Sequence, residues 1–315
     1  MIPISKRLSD VEQAEYIHRV FELRKRWRNY EEIVRKFCEF VSYKVCDNCV
    51  SGLIKSMTEY KKYPYLCRWI LMPYSDIFEL RKKIDNHSND SYYRQLLNEF
   101  QKFKSIYNDF SRHNLNGWIV EISNVRVCPY CNLAYTFNRG KETVTAQLDH
   151  FYPKSAYPQF SICYYNLIPT CATCNKIKKD SQKPLVSPYG INAFSTARFI
   201  AMSSKALNYM DIEEVSKKIV IDIVSDNPME ENNFKILNLK SAYKQVSNYS
   251  AEILRKIYIY KNEKARALIT DAIKSAGVSN EDILKFYFGN YLNEGNGKQV
   301  LDKLTNDLFI QSEEI

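Results

Sequence analysis

Cys128-Pro129-Tyr130-Cys131 opens, and Cys171-Ala172-Thr173-Cys174-Asn175-Lys176-Ile177-Lys178 closes, one short stretch of the chain. Between them lie Leu148-Asp149-His150-Phe151-Tyr152-Pro153-Lys154-Ser155 and Tyr165-Asn166-Leu167-Ile168-Pro169. Each Cys-x-x-Cys spacer makes a turn that points two sulfurs at one place. Two such pairs supply the four thiolates of a closed tetrahedral zinc site. Cys128, Cys131, Cys171 and Cys174 are therefore the expected ligands of a structural zinc ion. The 39 residues between Cys131 and Cys171 would be clamped at both ends. A unit this small buries too little apolar surface to be stable unaided. Structural zinc contributes roughly 10–16 kcal/mol to folding in small fingers, enough to offset that deficit.

The residues inside the frame are those of metal-assisted hydrolysis. His150, with an unperturbed pKa of about 6.5, suits a general base. Asp149 offers a carboxylate and Asn175 an amide oxygen, hard donors for Mg²⁺ or Mn²⁺. Adjacent residues of a regular strand point to opposite faces, so Asp149 and His150 can share a site only where a strand ends. Pro153 fits such an ending. Asn175, Lys178 and Lys179 are spaced i, i+3, i+4 and fall on one helix face. Lys178 is then expected to contact a phosphate beside the metal.

Local patterns supply a scaffold for these groups. Leu133–Phe137 and Thr143–Leu148 are short β-prone runs separated by Asn138-Arg139-Gly140-Lys141, which predicts a hairpin. Residues 172–182 read as a short helix. The order is hairpin, loop, helix.

Residues 123–188 resemble the HNH endonucleases of the ββα-metal (His-Me finger) kind that carry a four-cysteine zinc structure. Cys-x-x-Cys, Asp-His, Asn-Leu, Cys-x-x-Cys-Asn and a trailing Lys all fall in that family's order. The resemblance implies a metal-dependent endonuclease cutting DNA to leave 5′-phosphate and 3′-hydroxyl ends. It implies His150 as general base and a divalent ion on Asp149 and Asn175. Asn166, the middle letter of the pattern, would organise the catalytic loop. Asn175 stands where many members have His, which leaves the choice of metal open. The Tyr152-Pro153-Lys154-Ser155 step looks like the nuclease subunits of anti-phage systems, and in Septu-type systems a similar HNH protein pairs with an ATPase. Gly295-Asn296-Gly297-Lys298 lacks the spacing of a phosphate-binding loop, so ATP control would come from another chain. Two other readings remain: a zinc-stabilised nucleic-acid-binding or scaffolding subunit without catalysis, and an RNA-cleaving toxin of the same fold.

The rest of the chain bounds these readings. Its 315 residues suggest two or three domains, expected as a helical region 1–122, the nuclease unit 123–190 and a mainly helical region 191–315. The expected class is α+β, mostly helical. Ser9-Asp10 reads as a capped helix start, and Ile33, Phe37 and Phe40 as an apolar stripe. Lys218–Val224 alternates as a strand does, Asn238–Ala276 has helical periodicity, and a closing helix is expected near Gly297. Net charge is +9, and residues 123–190 hold eight basic residues against three acidic ones. That bias favours a polyanionic partner. No run of 18 apolar residues predicts a membrane span. Nine cysteines without an export signal suit a reducing cytoplasm. Cys46-Asp47-Asn48-Cys49 is a third Cys-x-x-Cys with no second pair. Cys38, Cys67 and Cys163 read as core, and His18, His87 and His113 as non-catalytic.

Overall fold

The computed structural model describes residues 1–44, 50–140, 143–181, 183, 185–190, 196–203, 207–279, 282–289 and 297–313. The Cys46–Cys49 pair lies outside them. The chain divides into two compact units. One holds Ile4–Val125 and Thr136–Gln182; the other holds Met1–Pro3, Arg126–Tyr135 and Lys183–Ile315. The class is α+β and mostly helical, with two small two-stranded sheets.

The first unit is a helical bundle carrying a short sheet. Its helices are α1 (Asp10–Glu22), α2 (Arg28–Phe40), α3 (Gly52–Ser56), α4 (Thr58–Lys62), α5 (Pro64–Ile70), α6 (Tyr74–Asn86), α7 (Ser91–Asp109) and α8 (Leu115–Ser123). Then come β1 (Gln147–His150), β2 (Leu167–Thr170) and α9 (Ala172–Lys178). α1 starts where Ser9 accepts from the Glu12 amide while Glu12 reaches back, a full capping box. The core is aromatic. Phe37 of α2 meets Phe100 of α7 edge-on at 5.2 Å, and Trp69 of α5 stacks between Phe100 and Phe160 at 6.1 and 5.9 Å. Such pairs add about 0.5–1.5 kcal/mol each beyond their buried area. Cys38, Cys67 and Cys163 are buried in this unit. Burial pushes the Cys38 and Cys163 thiols well above their ordinary range, as suits inert core residues.

The strand pairing differs from the expected hairpin. β1 pairs antiparallel with β2, Asp149 opposite Ile168 and His150 opposite Leu167. Among the described residues, Leu133–Phe137 does not pair with Thr143–Leu148. Two contacts of the turn remain: the Arg139 amide donates to the Thr143 carbonyl, and the Thr145 hydroxyl to that of Phe137. The reason is competition. Tyr135 bridges to Val127, and the Ala134 carbonyl takes the Cys128 amide, so the earlier run is committed to the cysteine turn. Leu167-Ile168-Pro169-Thr170, buried throughout, supplies the partner instead.

The second unit contains β3 (Arg198–Met202), α10 (Ile212–Lys218), β4 (Val220–Val224), α11 (Pro228–Ile236), α12 (Leu239–Lys244), α13 (Ser247–Lys261), α14 (Glu263–Ser275), α15 (Ile283–Phe288) and α16 (Asp302–Glu313). β3 and β4 are antiparallel, with Phe199 opposite Ile223. The last helix begins at Asp302, shortly after Gly297. The Asp302 carboxylate collects the amides of Gly297, Lys298 and Gln299, which holds those residues in a turn.

The Cys128–Cys131 turn is fixed within this second unit. The Asn132 amide donates to the Cys128 carbonyl, and Asn132 takes a left-handed φ of 54°. Its side chain donates to the Gln299 carbonyl and accepts from the Lys303 amide. The Tyr243 hydroxyl of α12 donates to the Cys131 carbonyl at 2.7 Å.

Candidate active site and cysteine cluster

β1 reads Gln-Leu-Asp-His and stops at His150 because the next residues turn into the loop. The Phe151 amide still donates to the Asn166 carbonyl at 2.9 Å, and Pro153 has no amide to continue the ladder. Asn166 then ties that loop together. Its side-chain oxygen accepts from the Tyr152 amide, and its nitrogen donates to the carbonyls of Tyr152 and Phe160. It is fully buried, so each of these bonds replaces water that is absent. The helical bundle grips the same loop. Tyr16 of α1 donates to the Ile162 carbonyl and Trp69 of α5 to that of Gln159, both at 2.8 Å.

His150 lies against this loop. Its Nε2 is 3.0 Å from the Ser161 carbonyl oxygen. A carbonyl can only accept, so this bond places the imidazole proton on Nε2 and leaves Nδ1 with the basic lone pair. Tyr107 of α7 meets the imidazole at 4.3 Å and 71°, edge to face. Burial pushes the His150 pKa down to about 3; the Ser161 carbonyl works in the opposite direction, and the charges of Lys154 and Lys178 reinforce the fall. The ring is therefore neutral near pH 7. Burial first, and the Asp149 charge second, raise the Tyr107 phenol above its usual range. Tyr107 is thus a neighbour of both Asp149 and His150, and its neutral hydroxyl donates to the Leu148 carbonyl.

Asp149 is only 3% exposed. Lys178, at the end of α9, sends its ammonium to both carboxylate oxygens, at 2.9 and 3.2 Å, and to the carbonyls of His150 and Phe151, each at 3.0 Å. At 2% exposure Lys178 is as buried as its partner. This corrects the phosphate contact expected of it. The i, i+3, i+4 spacing places Lys178 on one face of α9 with Asn175, but that face packs on β1. Its ammonium neutralises Asp149 and pins the end of the strand. Lys176, Lys179 and Lys183 are exposed. α9 itself ends at Lys178 and is capped by Lys179, whose φ is 44°.

Asn175 is half-buried. Its side-chain nitrogen donates to Gln147 Oε1 at 2.7 Å, which orients the amide and leaves the oxygen as the acceptor end. Gln147 is two residues before Asp149 and so on the same face of β1, a period-2 signal present in the sequence. Tyr107, Ser161, Tyr16 and Trp69 carried no comparable signal, because their roles depend on contacts across long stretches of chain.

The sulfurs of Cys128, Cys131, Cys171 and Cys174 lie within 4.8 Å of one another. Tetrahedral zinc, with bonds of about 2.3 Å, needs sulfurs about 3.8 Å apart, so this donor set fits it. Cys171 is also the N-cap of α9, its sulfur accepting from the Cys174 amide. The Cys131 sulfur accepts from the Leu133 amide. The four cysteines can hold a zinc ion.

No family model matches the chain, and no solved structure matches it. Residues of the chain are 28% identical over 115 positions to the Septu protein PtuB of Bacillus thuringiensis, covering 36% of this chain and 40% of that protein. A second stretch is 36% identical over 58 residues to protein ea31 of Escherichia phage lambda, covering 18% of this chain and 17% of that protein. Each match thus spans well under two thirds of the relative. Among the described residues no helix is long and apolar enough to cross a membrane.

Proposed function

We propose that the chain is a metal-dependent HNH-type endonuclease acting in anti-phage defence. The observation that carries this reading is His150: a buried, neutral imidazole with its proton directed to Ser161, at the end of a strand that also bears Asp149. Residues 123–190 would be the nuclease unit between helical regions 1–122 and 191–315. Nδ1 of His150 takes the proton from the attacking water. Asp149 and Asn175 hold a divalent ion, Mg²⁺ or Mn²⁺, which when bound supplies charge neutralisation at the phosphate and the leaving oxygen. Lys178 holds the Asp149 carboxylate in place, and a carboxylate with about four acceptor sites can serve an ammonium and a metal together. Asn166 fixes the loop that presents Ser161. The likeness to a Septu protein supports the defence role and a partner subunit; an ATPase is the partner implied by the HNH resemblance.

The test is plasmid nicking by the purified chain and by His150→Ala, with Mg²⁺ or Mn²⁺ and with EDTA, alongside a single-stranded RNA of mixed sequence. Metal-dependent DNA cleavage lost in His150→Ala supports the reading. Binding without cleavage, under all metals, replaces it by the scaffolding alternative. Cleavage of the RNA alone replaces it by the toxin.

A further inference from the structure

Lys178 leaves the site's anion contact unassigned, because it is buried on Asp149. A different ammonium stands near His150. Lys154 follows Pro153 in the catalytic loop, and its Nζ sits 4.7 Å above the ring of Tyr107, the same ring that His150 meets edge-on. Its hydrogen-bond partner is the Asn108 amide oxygen at a long 3.5 Å. Among the described residues no carboxylate lies within ion-pair distance of it. Burial first, and the charge of Lys104, one turn back along α7 from Asn108, second, lower the Lys154 pKa from its ordinary value; Asp180 acts in the opposite direction as the smaller influence.

An ammonium half-buried on an aromatic face, with a second positive charge acting on it, costs free energy in the free protein. An arriving anion removes that cost. Lys178 differs on every count: its charge is matched by a carboxylate and two carbonyls, out of reach of solvent.

We propose that Lys154, supported by Lys104, is the cation that contacts the phosphodiester backbone next to His150. This rests on the nuclease reading for its substrate, but its test does not require cleavage. The Tyr107 ring lies against both the Lys154 ammonium and the His150 imidazole. Each arrives there by a separate route, Lys154 through the loop after Pro153 and His150 through β1.

The experiment measures binding of a short duplex DNA by the His150→Ala chain at several salt concentrations, without divalent metal. The same titration is run with Lys154→Gln, Lys154→Arg or Lys104→Gln added. The log–log salt slope should become shallower by about 0.9 in Lys154→Gln, the value for one lost phosphate contact on B-DNA. Lys154→Arg should restore it, and Lys104→Gln should flatten it as well. Slopes equal across all four proteins, or no DNA binding at all, overturn the proposal. Should Lys154→Gln fail to fold, the Lys104→Gln slope decides. If the chain with His150 intact never cleaves, yet the slope change is seen, this contact stands and the nuclease reading is lost. A chain that cleaves with unchanged slopes does the reverse.

Discussion

Lys178 is the residue on which the electrostatics of the site turn. A buried ammonium with four acceptors within 3.2 Å is well compensated, and so is the carboxylate facing it. Removing one partner is a different matter. Lys178→Ala leaves Asp149 buried without its counter-charge and frees the carbonyls of His150 and Phe151. We expect a loss of roughly 3–5 kcal/mol of stability, read by urea unfolding. A phosphate-contacting lysine would instead change the salt slope of DNA binding and leave stability nearly untouched. His150→Ala should behave in the opposite way to Lys178→Ala. In the proposed reaction the imidazole acts on water and adds little to ground-state binding, so cleavage should vanish while DNA affinity stays within a few-fold. Cleavage by His150→Ala at the wild-type rate would remove His150 from its role.

At the scale of elements, α5 shows how tertiary contacts finish what local sequence leaves open. Tyr63 precedes the helix without a capping side chain, and Glu31 of α2 fills the gap by accepting from the Tyr65 and Leu66 amides at 3.0 and 2.7 Å. Glu31→Ala should cost about 1–2 kcal/mol, the usual worth of a cap. Burial outweighs those two amide bonds and raises the Glu31 pKa above its ordinary value. A carboxyl with a raised folded-state pKa stabilises most when protonated, and that contribution fades as pH climbs through the folded pKa. Wild-type stability should therefore fall relative to Glu31→Gln as pH rises from the ordinary glutamate pKa of about 4.3 through the raised folded-state value; a constant difference would contradict the burial argument. What was legible at this scale follows the range of the interaction. The Ser9 cap, the strand at Val220–Val224 and the start of α9 at Cys171 are set by neighbours in sequence. The partner of β1 was not, since Leu133–Phe137 and Leu167–Thr170 are both β-prone and only the cysteine turn decides between them. Likewise the spacing showed which face of α9 holds Lys178, but not that β1 covers it.

For the whole molecule, the cysteine cluster and the proposed hydrolytic site should respond to metal removal on different time scales. Three of the four thiols are buried, and a closed four-thiolate site contributes its binding energy to folding. The proposed divalent site uses Asn175, which is half-exposed, and hard oxygen donors that exchange ions readily. About one tightly held zinc per chain is expected by elemental analysis. A brief EDTA treatment should abolish cleavage without releasing that zinc, and excess Mg²⁺ should then restore activity. EDTA together with denaturant should release zinc, and refolding without zinc should give aggregated protein. Cys128→Ser and Cys174→Ser should reach that aggregated state directly, whereas His150→Ala should keep its zinc, because the imidazole bonds to Ser161 and takes no part in the cluster. Folded protein without zinc would end the structural role. Loss of zinc during brief chelation, in step with loss of cleavage, would instead merge the two metal sites into one.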